Sequence, residues 1–290
     1  MAKTASLLAQ TPASLGYRMP GEWEPHEATW IAWPHNRTDW PGKFASIPWV
    51  YAEIVRHLAR VERVNILVND ERAEAAARQV LVTAEVLPNS AIEPGSRSGK
   101  VNFWHIPTNR GWTRDTGPSF VVRRGAELAA VAWRFNGWAK YNDWKRDAAV
   151  SAEVGRRLKL PTWQPEVEVD GALRRVVLEG GSIDVNGRGT LLTTEECLLS
   201  EVQQRNPGVS REQLEEVFAG YLGIRKVIWL GSGIAGDDTH GHVDDISRFV
   251  APNVVITAYE PDTSEDNHAP LRDNYRRLTK STDQAGKGLR

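Results

Sequence analysis

A repeated order of strand, strand, helix and strand constrains the fold of this 290-residue chain more than any other feature of its sequence. Apolar alternation, helical periodicity and turn residues predict two full copies of this order and a third copy without its last strand. The predicted elements are 119–122, 128–135, 144–158 and 175–178 in the first copy, 182–185, 190–193, 210–222 and 226–230 in the second, and 246–250, 254–259 and 269–280 in the third.

An acidic residue precedes each copy of the repeat. Asp115 lies 64 residues before Glu179, which lies 65 residues before Asp244. A period near 65 residues with a β-hairpin in each unit indicates a radial arrangement, which would bring the equivalent loops to a common axis. Three carboxylates at one axis would form an anionic hole, for which a small cation is the natural occupant.

The acidic stretch 237–245 contains four carboxylates and two imidazoles within nine positions. Such a density of like charge is costly unless a cation, a metal or a proton lies among the groups. The stretch therefore predicts either a metal site or a catalytic site that binds a cation. The run from His240 to Asp245 differs by one residue from the His-x-His-x-Asp-His pattern of metallo-β-lactamase-like hydrolases, so a zinc hydrolase stays an alternative.

Composition excludes several classes of function. A formal net charge of −1 gives no footprint for binding nucleic acid or an anionic membrane. Residues 1–16 lack the apolar run of a signal peptide, so we expect a cytoplasmic protein.

Cys197 is the only cysteine, and its apolar neighbours predict a buried structural thiol rather than a nucleophile.

Four spaced motifs together carry a resemblance to a known family. They are Met-Pro-Gly-Glu-Trp-Glu-Pro-His at 19–26, Trp-Thr-Arg-Asp-Thr-Gly-Pro at 112–118, Glu-Gly-Gly-Ser-Ile at 179–183 and Gly-His-Val-Asp at 241–244. In this order they resemble agmatine deiminases, which belong with bacterial-type peptidyl-arginine deiminases to the guanidino-group-modifying superfamily. The similarity runs from about Tyr17 to Thr279. It implies an α/β fold of the pentein type, a five-bladed propeller of ββαβ repeats, in a single domain from 17 to 290 after an N-terminal extension of residues 1–16.

The resemblance also implies a reaction, the hydrolysis of agmatine to N-carbamoylputrescine and ammonia in putrescine biosynthesis. In the family a cysteine thiolate attacks the guanidinium carbon, ammonia leaves with help from a histidine, and water hydrolyses the thiouronium intermediate. Carried over to this chain, Asp115 and Asp244 would hold the guanidinium, His242 would be the general acid and base, and Glu179 would support His242. We also expect Trp112 to line the substrate pocket. The implied partner is a small guanidino substrate, with no cofactor and no metal, and a homo-oligomer is compatible with the sequence.

Two departures from the family pattern qualify this function. The late glycine-rich segment that carries the nucleophilic cysteine has no counterpart before Arg290, and Cys197 does not match it. We therefore expect a C-terminally truncated chain without the last part of its final blade, which binds guanidino compounds but has negligible deiminase activity. In addition, Ala139 and Lys140 follow the Phe-Asn-x-Trp motif where agmatine-specific members have two glycines, so free or peptidyl arginine stays an alternative substrate.

Overall fold

Helices and strands alternate along the chain in the computed structural model, which describes residues 10–96, 99–125 and 127–290. The strands are β1 Ala28–Ala32, β2 Arg63–Val68, β3 Val101–His105, β4 Ser119–Arg123, β5 Glu127–Val131, β6 Thr162–Trp163, β7 Glu166–Val169, β8 Ala172–Arg175, β9 Asp184–Val185, β10 Thr190–Thr194, β11 Lys226–Leu230, β12 Ser247–Ala251 and β13 Val254–Thr257. The helices are α1 Ile47–Val61, α2 Glu71–Thr83, α3 Thr113–Thr116, α4 Asp147–Arg157, α5 Glu195–Leu199, α6 Arg211–Leu222 and α7 His268–Lys280.

The chain divides into two compact units. Within the described residues, the first consists of 10–24, 114–125, 127–142 and 151–290, and the second of 25–96, 99–113 and 143–150. Residues 1–9 of the predicted N-terminal extension lie outside the described residues. The single domain expected from 17 to 290 stays a prediction.

The second unit is built on a parallel sheet in the order β1-β2-β3. Parallel neighbours need a crossover, and helices α1 and α2 provide the two crossovers of this sheet. Strand β2 is apolar at most positions and buried from Val64 to Val68 because it lies between two neighbours. Asp70 begins α2 as predicted, since its carboxylate accepts a hydrogen bond from the Ala73 amide at 2.8 Å.

The first unit contains the repeat that the sequence predicts. In one copy β4 pairs antiparallel with β5, and β5 pairs parallel with β6 after helix α4. In the next copy β9 pairs antiparallel with β10, and β10 pairs parallel with β11 after helix α6. The third copy has the antiparallel pair β12 and β13 followed by α7. The predicted order of strand, strand, helix and strand is therefore confirmed, with a hairpin at the start of each copy.

The last strand of the first copy was predicted at the wrong place. The strand that completes this sheet is β6, whose two residues are too few to show a periodic pattern. The predicted segment 175–178 instead contains the end of β8, which forms a hairpin with β7, and a single bridge from Val177 to Arg134. The apolar residues of that segment are buried because they pack in the core of the first unit.

The edge of β13 carries backbone hydrogen bonds to the final residue of the sequence. The Val255 amide donates to the Arg290 carbonyl at 2.8 Å, and the Arg290 amide donates to the Asn253 carbonyl at 2.9 Å. The sheets of the described chain show an α/β architecture, whereas closure into five blades and incompleteness at the C-terminus stay predictions. Within the same described ranges, no helix has both the length and the apolar character to cross a membrane.

Helix α6 provides a test of local stability in the first unit. Ser210 and Gln213 form the predicted capping box, with the Ser210 hydroxyl accepting from the Gln213 amide and the Gln213 side chain accepting from the Ser210 amide. We expect Ser210→Ala to lower the free energy of unfolding by about 1 kcal/mol in urea denaturation. Ser46→Ala is the matched control, because Ser46 precedes α1 without capping it through its side chain. Equal effects of the two substitutions would contradict this account.

Candidate functional site

The three acids that precede the repeats take equivalent places in the fold. Each lies in or beside a short helical turn that leads into the first strand of its copy. These turns are α3 for Asp115, the 3-10 turn Gly180–Ser182 for Glu179 and the 3-10 turn Val243–Asp245 for Asp244. The sequence spacing of the acids therefore reflects one structural position used three times in the first unit.

The His242 imidazole lies between two of these carboxylates. Its Nε2 atom is 3.7 Å from Glu179 Oε2, and its Nδ1 atom is 3.8 Å from Asp244 Oδ1. His242 is 3% exposed and Glu179 is fully buried. The facing atoms Glu179 Oε2 and His242 Nε2 have no hydrogen-bond partner among the described residues. Each ring nitrogen thus faces the oxygen of a different acid.

Asp115 joins this group through the backbone of a glycine pair. Its Oδ1 atom accepts from the Gly181 amide at 2.9 Å, and its Oδ2 atom accepts from Trp138 Nε1 at 3.0 Å. A β-carbon on Gly181 would lie 2.4 Å from His242 Nδ1 and 2.9 Å from Asp115 Oδ1. A β-carbon on Gly180 would lie 2.1 Å from the Arg114 carbonyl oxygen. Only glycine therefore fits where this backbone passes between the side chains of the site.

Burial and charge set the protonation states of the group. Burial raises the pKa of Asp115, and the Glu179 charge raises it further. Burial also opposes ionisation of Glu179, but Arg205 and His242 outweigh it and lower the pKa of Glu179. Burial lowers the pKa of His242, but Glu179, Asp115 and Asp244 outweigh this effect and raise it to about 9. At neutral pH the site therefore holds the His242 imidazolium beside the ionised carboxylate of Glu179.

Asp237, in the stretch 237–245, stabilises the loop that carries His242. The Asp237 carboxylate accepts from the amides of Thr239, Gly241 and His242 at 2.7, 2.6 and 3.1 Å. These bonds hold the loop in which His240 and Gly241 adopt positive φ angles of 63° and 86°. Asp237 thus shapes the loop that presents His242.

Residues outside the predicted set complete the site. Arg205 is paired with Glu179 at 3.2 Å, with both side chains fully buried. Arg114 Nε lies 2.7 Å from Asp244 Oδ2. Trp138 was known from the Phe-Asn-x-Trp motif, but its bond to Asp115 was not predicted. Arg205 lies in an irregular segment between α5 and α6, so no periodicity or spacing in the sequence pointed to it.

Trp112 belongs to the second unit. Its ring lies 5.6 Å from the Trp40 ring, measured between centroids. Its predicted role in substrate binding stays a prediction. The predicted residues Asp115, Glu179, His242 and Asp244 are all brought together within the first unit.

Cys197 lies closer to the site than the sequence indicated. One ligand atom each of Glu179, Cys197 and His242 lie within 4.8 Å of one another, and all three residues are buried. Burial raises the pKa of the Cys197 thiol well above its usual range, and the Glu179 charge adds to this effect. The predicted buried thiol is confirmed, and at neutral pH it carries its proton.

The group of Glu179, Cys197 and His242 is better suited to binding protons than to binding a metal ion. A zinc ion at this place would need the Cys197 thiolate, and it would compete with the Arg205 guanidinium for the Glu179 carboxylate. Among the residues described, the group of Glu179, Cys197 and His242 is the one with three potential ligand atoms this close, and it includes neither His240 nor Asp245. The His240 ring instead faces Glu196, with its Nδ1 atom 3.7 Å from Glu196 Oε1.

Comparisons with known proteins identify the family of the chain. The family model of Porphyromonas-type peptidyl-arginine deiminase matches residues 18–290. The chain belongs to this family. The agmatine deiminase of Stutzerimonas stutzeri is 36% identical over 287 residues, which cover 97% of this chain and 71% of that protein. The agmatine deiminase of Medicago truncatula is 34% identical over 294 residues, with coverages of 97% and 71%.

A solved structure of a deiminase has a similar fold. The structure described as agmatine deiminase of Enterococcus faecalis catalysing its reaction has a TM-score of 0.82 and 33% sequence identity. The match covers 97% of this chain and 71% of that one. The α/β fold of the chain is thus that of the deiminase family, and the resemblance inferred from the four motifs is confirmed.

Gly181 provides a test of the site geometry. We expect Gly181→Ala to lower the free energy of unfolding by about 1–3 kcal/mol, because the added β-carbon overlaps His242 and Asp115. Thermal and urea denaturation measure this change. Gly288→Ala is the control, since no heavy atom lies within 4 Å of its β-carbon position. A Gly181→Ala variant as stable as the control would contradict the close approach.

The His242 imidazolium provides a test based on pH. Because its pKa in the folded state is about 9, above the ordinary 6.5, its stabilising effect is complete below pH 6.5 and is lost as the pH rises through 9. We expect the free energy of unfolding to fall by about 3 kcal/mol over this window. His242→Gln should abolish most of this loss, whereas replacing the exposed His57 by Gln should leave it unchanged. A pH dependence that survives His242→Gln would assign the effect to another group.

Proposed function

We propose that this chain binds a guanidinium cation through Asp115 and Asp244 and that its family reaction is the hydrolytic deimination of agmatine. The observation that supports this proposal most is the placement of His242 between Glu179 and Asp244, with Asp115 held beside them by the Gly181 amide. A planar cation with several N–H donors matches such a set of acceptors. Agmatine deiminases among the relatives support agmatine as the substrate.

His242 would act first as an acid in this reaction. Its raised pKa keeps a proton on the ring at neutral pH, and this proton can pass to the departing ammonia. The neutral ring that results can then accept a proton from the attacking water. Glu179, which stays ionised beside Arg205, stabilises the protonated ring before and after this cycle.

The covalent step of the family needs a cysteine thiolate. Cys197 is the only cysteine of this sequence, and its buried thiol keeps its proton because burial raises its pKa. We therefore infer that the 290-residue chain binds agmatine without releasing ammonia from it. The proposal is a non-catalytic form of guanidine binding, in which Asp115 and Asp244 hold the cation and Cys197 does not react with it.

Free or peptidyl arginine is the second candidate substrate, and the loop after Trp138 favours it. Trp138 and Ala139 adopt positive φ angles of 56° and 54°, which is the conformation that glycine adopts without strain. Agmatine-specific members have two glycines directly after this tryptophan, whereas this chain has Ala139 and Lys140. The backbone shape is therefore present without the residues that mark the agmatine-specific members.

Binding and turnover can be measured separately. We expect isothermal titration calorimetry to detect agmatine binding to the wild-type chain, and an ammonia assay on the same samples to show no release above background. Asp115→Asn should weaken binding at least tenfold, because one carboxylate of the clamp loses its charge. Asp170→Asn is the control, since Asp170 is an exposed turn residue of the same unit.

The outcomes distinguish the candidate functions. Ammonia release at an enzymatic rate would contradict the inference that Cys197 is inert. Tighter binding of arginine or an arginyl peptide than of agmatine would favour the second substrate class. Binding of zinc in place of any guanidine would favour the zinc hydrolase, which otherwise stays an unsupported alternative.

A further inference from the structure

Two carboxylates that face His242 are each held from behind by an arginine. Glu179 directs Oε2 toward the ring, while its Oε1 atom accepts from Arg205 Nε at 3.2 Å. Asp244 directs Oδ1 toward the ring, while its Oδ2 atom lies 2.7 Å from Arg114 Nε. In both acids one oxygen is fixed by a guanidinium and the other is presented to a ring nitrogen.

Arg205 is fixed at several points within the first unit. Besides its pairing with Glu179, it donates to the Gln203 carbonyl at 2.9 Å and to the Thr239 carbonyl. Thr239 lies in the loop that carries His242. Arg205 thus links the acid on one side of the ring to the loop that supplies the ring.

Arg114 is the corresponding link on the other side. Its Nη1 atom donates to Glu22 Oε1 at 2.8 Å, and Glu22 also pairs with Arg248. Arg248 in turn donates to Asp184 Oδ1 at 3.2 Å. This chain of alternating charges extends from Asp184 in β9 to Asp244 in the turn before β12 and holds the Arg114 guanidinium in one orientation.

We propose that Arg114 and Arg205 are positioning residues of the guanidine site, which hold one oxygen of Asp244 and of Glu179 so that the other oxygen faces His242. This inference deepens the proposed function and rests on it. Since Arg114 occupies Oδ2, Asp244 offers its Oδ1 side to a bound guanidinium. Arg114 also favours the ionised form of Asp244, since it lowers the pKa of this carboxyl against burial and the neighbouring Asp115, which raise it.

Several charged groups act on Asp244, and their effects can be separated. Burial raises the pKa of Asp244, and Arg114 is the strongest of the groups that lower it. The charged and titratable groups that face Asp244 are Arg114, His242, Asp115, Arg248 and Asp245. Because Arg114 is 37% exposed in its side chain, it can be replaced at a lower structural cost than a fully buried residue.

The titration of Asp244 itself tests the role of Arg114 without any ligand. Carbon-13 NMR of side-chain carboxyls, with Asp244→Asn for assignment, would follow the protonation of Asp244 in the full chain. We expect Arg114→Gln to move the midpoint upward by about one pH unit or more and Arg114→Lys to restore most of the wild-type value. Arg156→Gln is the matched control, because it removes one positive charge at an exposed helix position of the same unit. An unchanged midpoint in Arg114→Gln would overturn the proposal.

Agmatine binding over a range of pH provides the second measurement. In Arg114→Gln the loss of binding on acidification should begin at higher pH, so that affinity at pH 5 falls about tenfold relative to wild type while affinity at pH 8 changes less. A uniform loss at every pH would indicate a purely structural role and overturn the proposal. If the wild-type chain binds no agmatine, the proposed function fails, whereas the NMR titration still decides the role of Arg114.

Arg205 requires variants that separate folding from positioning. Arg205→Lys keeps the charge but loses the fork that joins Glu179 to the Thr239 carbonyl. We expect it to stay folded, with a changed pKa of His242 in a nitrogen-15 NMR titration and weaker agmatine binding. A wild-type titration of His242 in folded Arg205→Lys would overturn the role of Arg205. If this variant does not fold, Asn206→Ser is the control, since the Asn206 side chain is hydrogen-bonded to the nearby Val177 backbone. An equal loss of folding there would count against a special role of Arg205.

Discussion

The contact of the His242 imidazolium with the buried Glu179 and the half-buried Asp244 is the interaction on which the rest of the site depends. Carboxylates as close as Asp115, Glu179 and Asp244 repel one another in a medium of low polarity, and each alone would favour its protonated form. The positive ring offsets this repulsion from the centre of the group. Arg205 and Arg114 do the same from its periphery. The site therefore carries its own counterions, and an arriving cation enters a field that is already partly neutralised.

The repeat of the fold brings the acids of the site together. Each acid lies in or beside the short helical turn that precedes its copy, so the same backbone conformation places all three charges. Glycines allow the turns to approach each other, as the space around Gly180 and Gly181 demonstrates. Hydrogen bonds from backbone amides to Asp115 and Asp237 then fix the side chains and the loop. Most of the precision of the site thus comes from the main chain.

Sequence alone predicted the elements that follow from local physics and from repetition. A few neighbouring residues determine the boundaries of β11, the capping box of α6 and the cap of α2. The hydrophobic pattern and the residue propensities were therefore enough to predict these features. Strand β6 and the short helix α5 were missed because they are too short to express a period. Arg205 and the position of Cys197 depend on contacts across the fold, for which a single sequence has no signal. The four motifs predicted that Asp115, Glu179, His242 and Asp244 belong to one site. Family resemblance contains information on which residues are close in the fold, whereas periodicity does not.

The glycine pair at 180 and 181 has a consequence for how such a site can diversify. A β-carbon at position 180 would overlap the Arg114 carbonyl, and one at position 181 would overlap His242 and Asp115, so neither position accepts a side chain. New preferences for the far end of a ligand must therefore arise in the surrounding loops, such as the one that contains Lys140 and Tyr141. Proteins that share this site would therefore keep the glycine pair, the ring and the acids, and would differ in the loops around them.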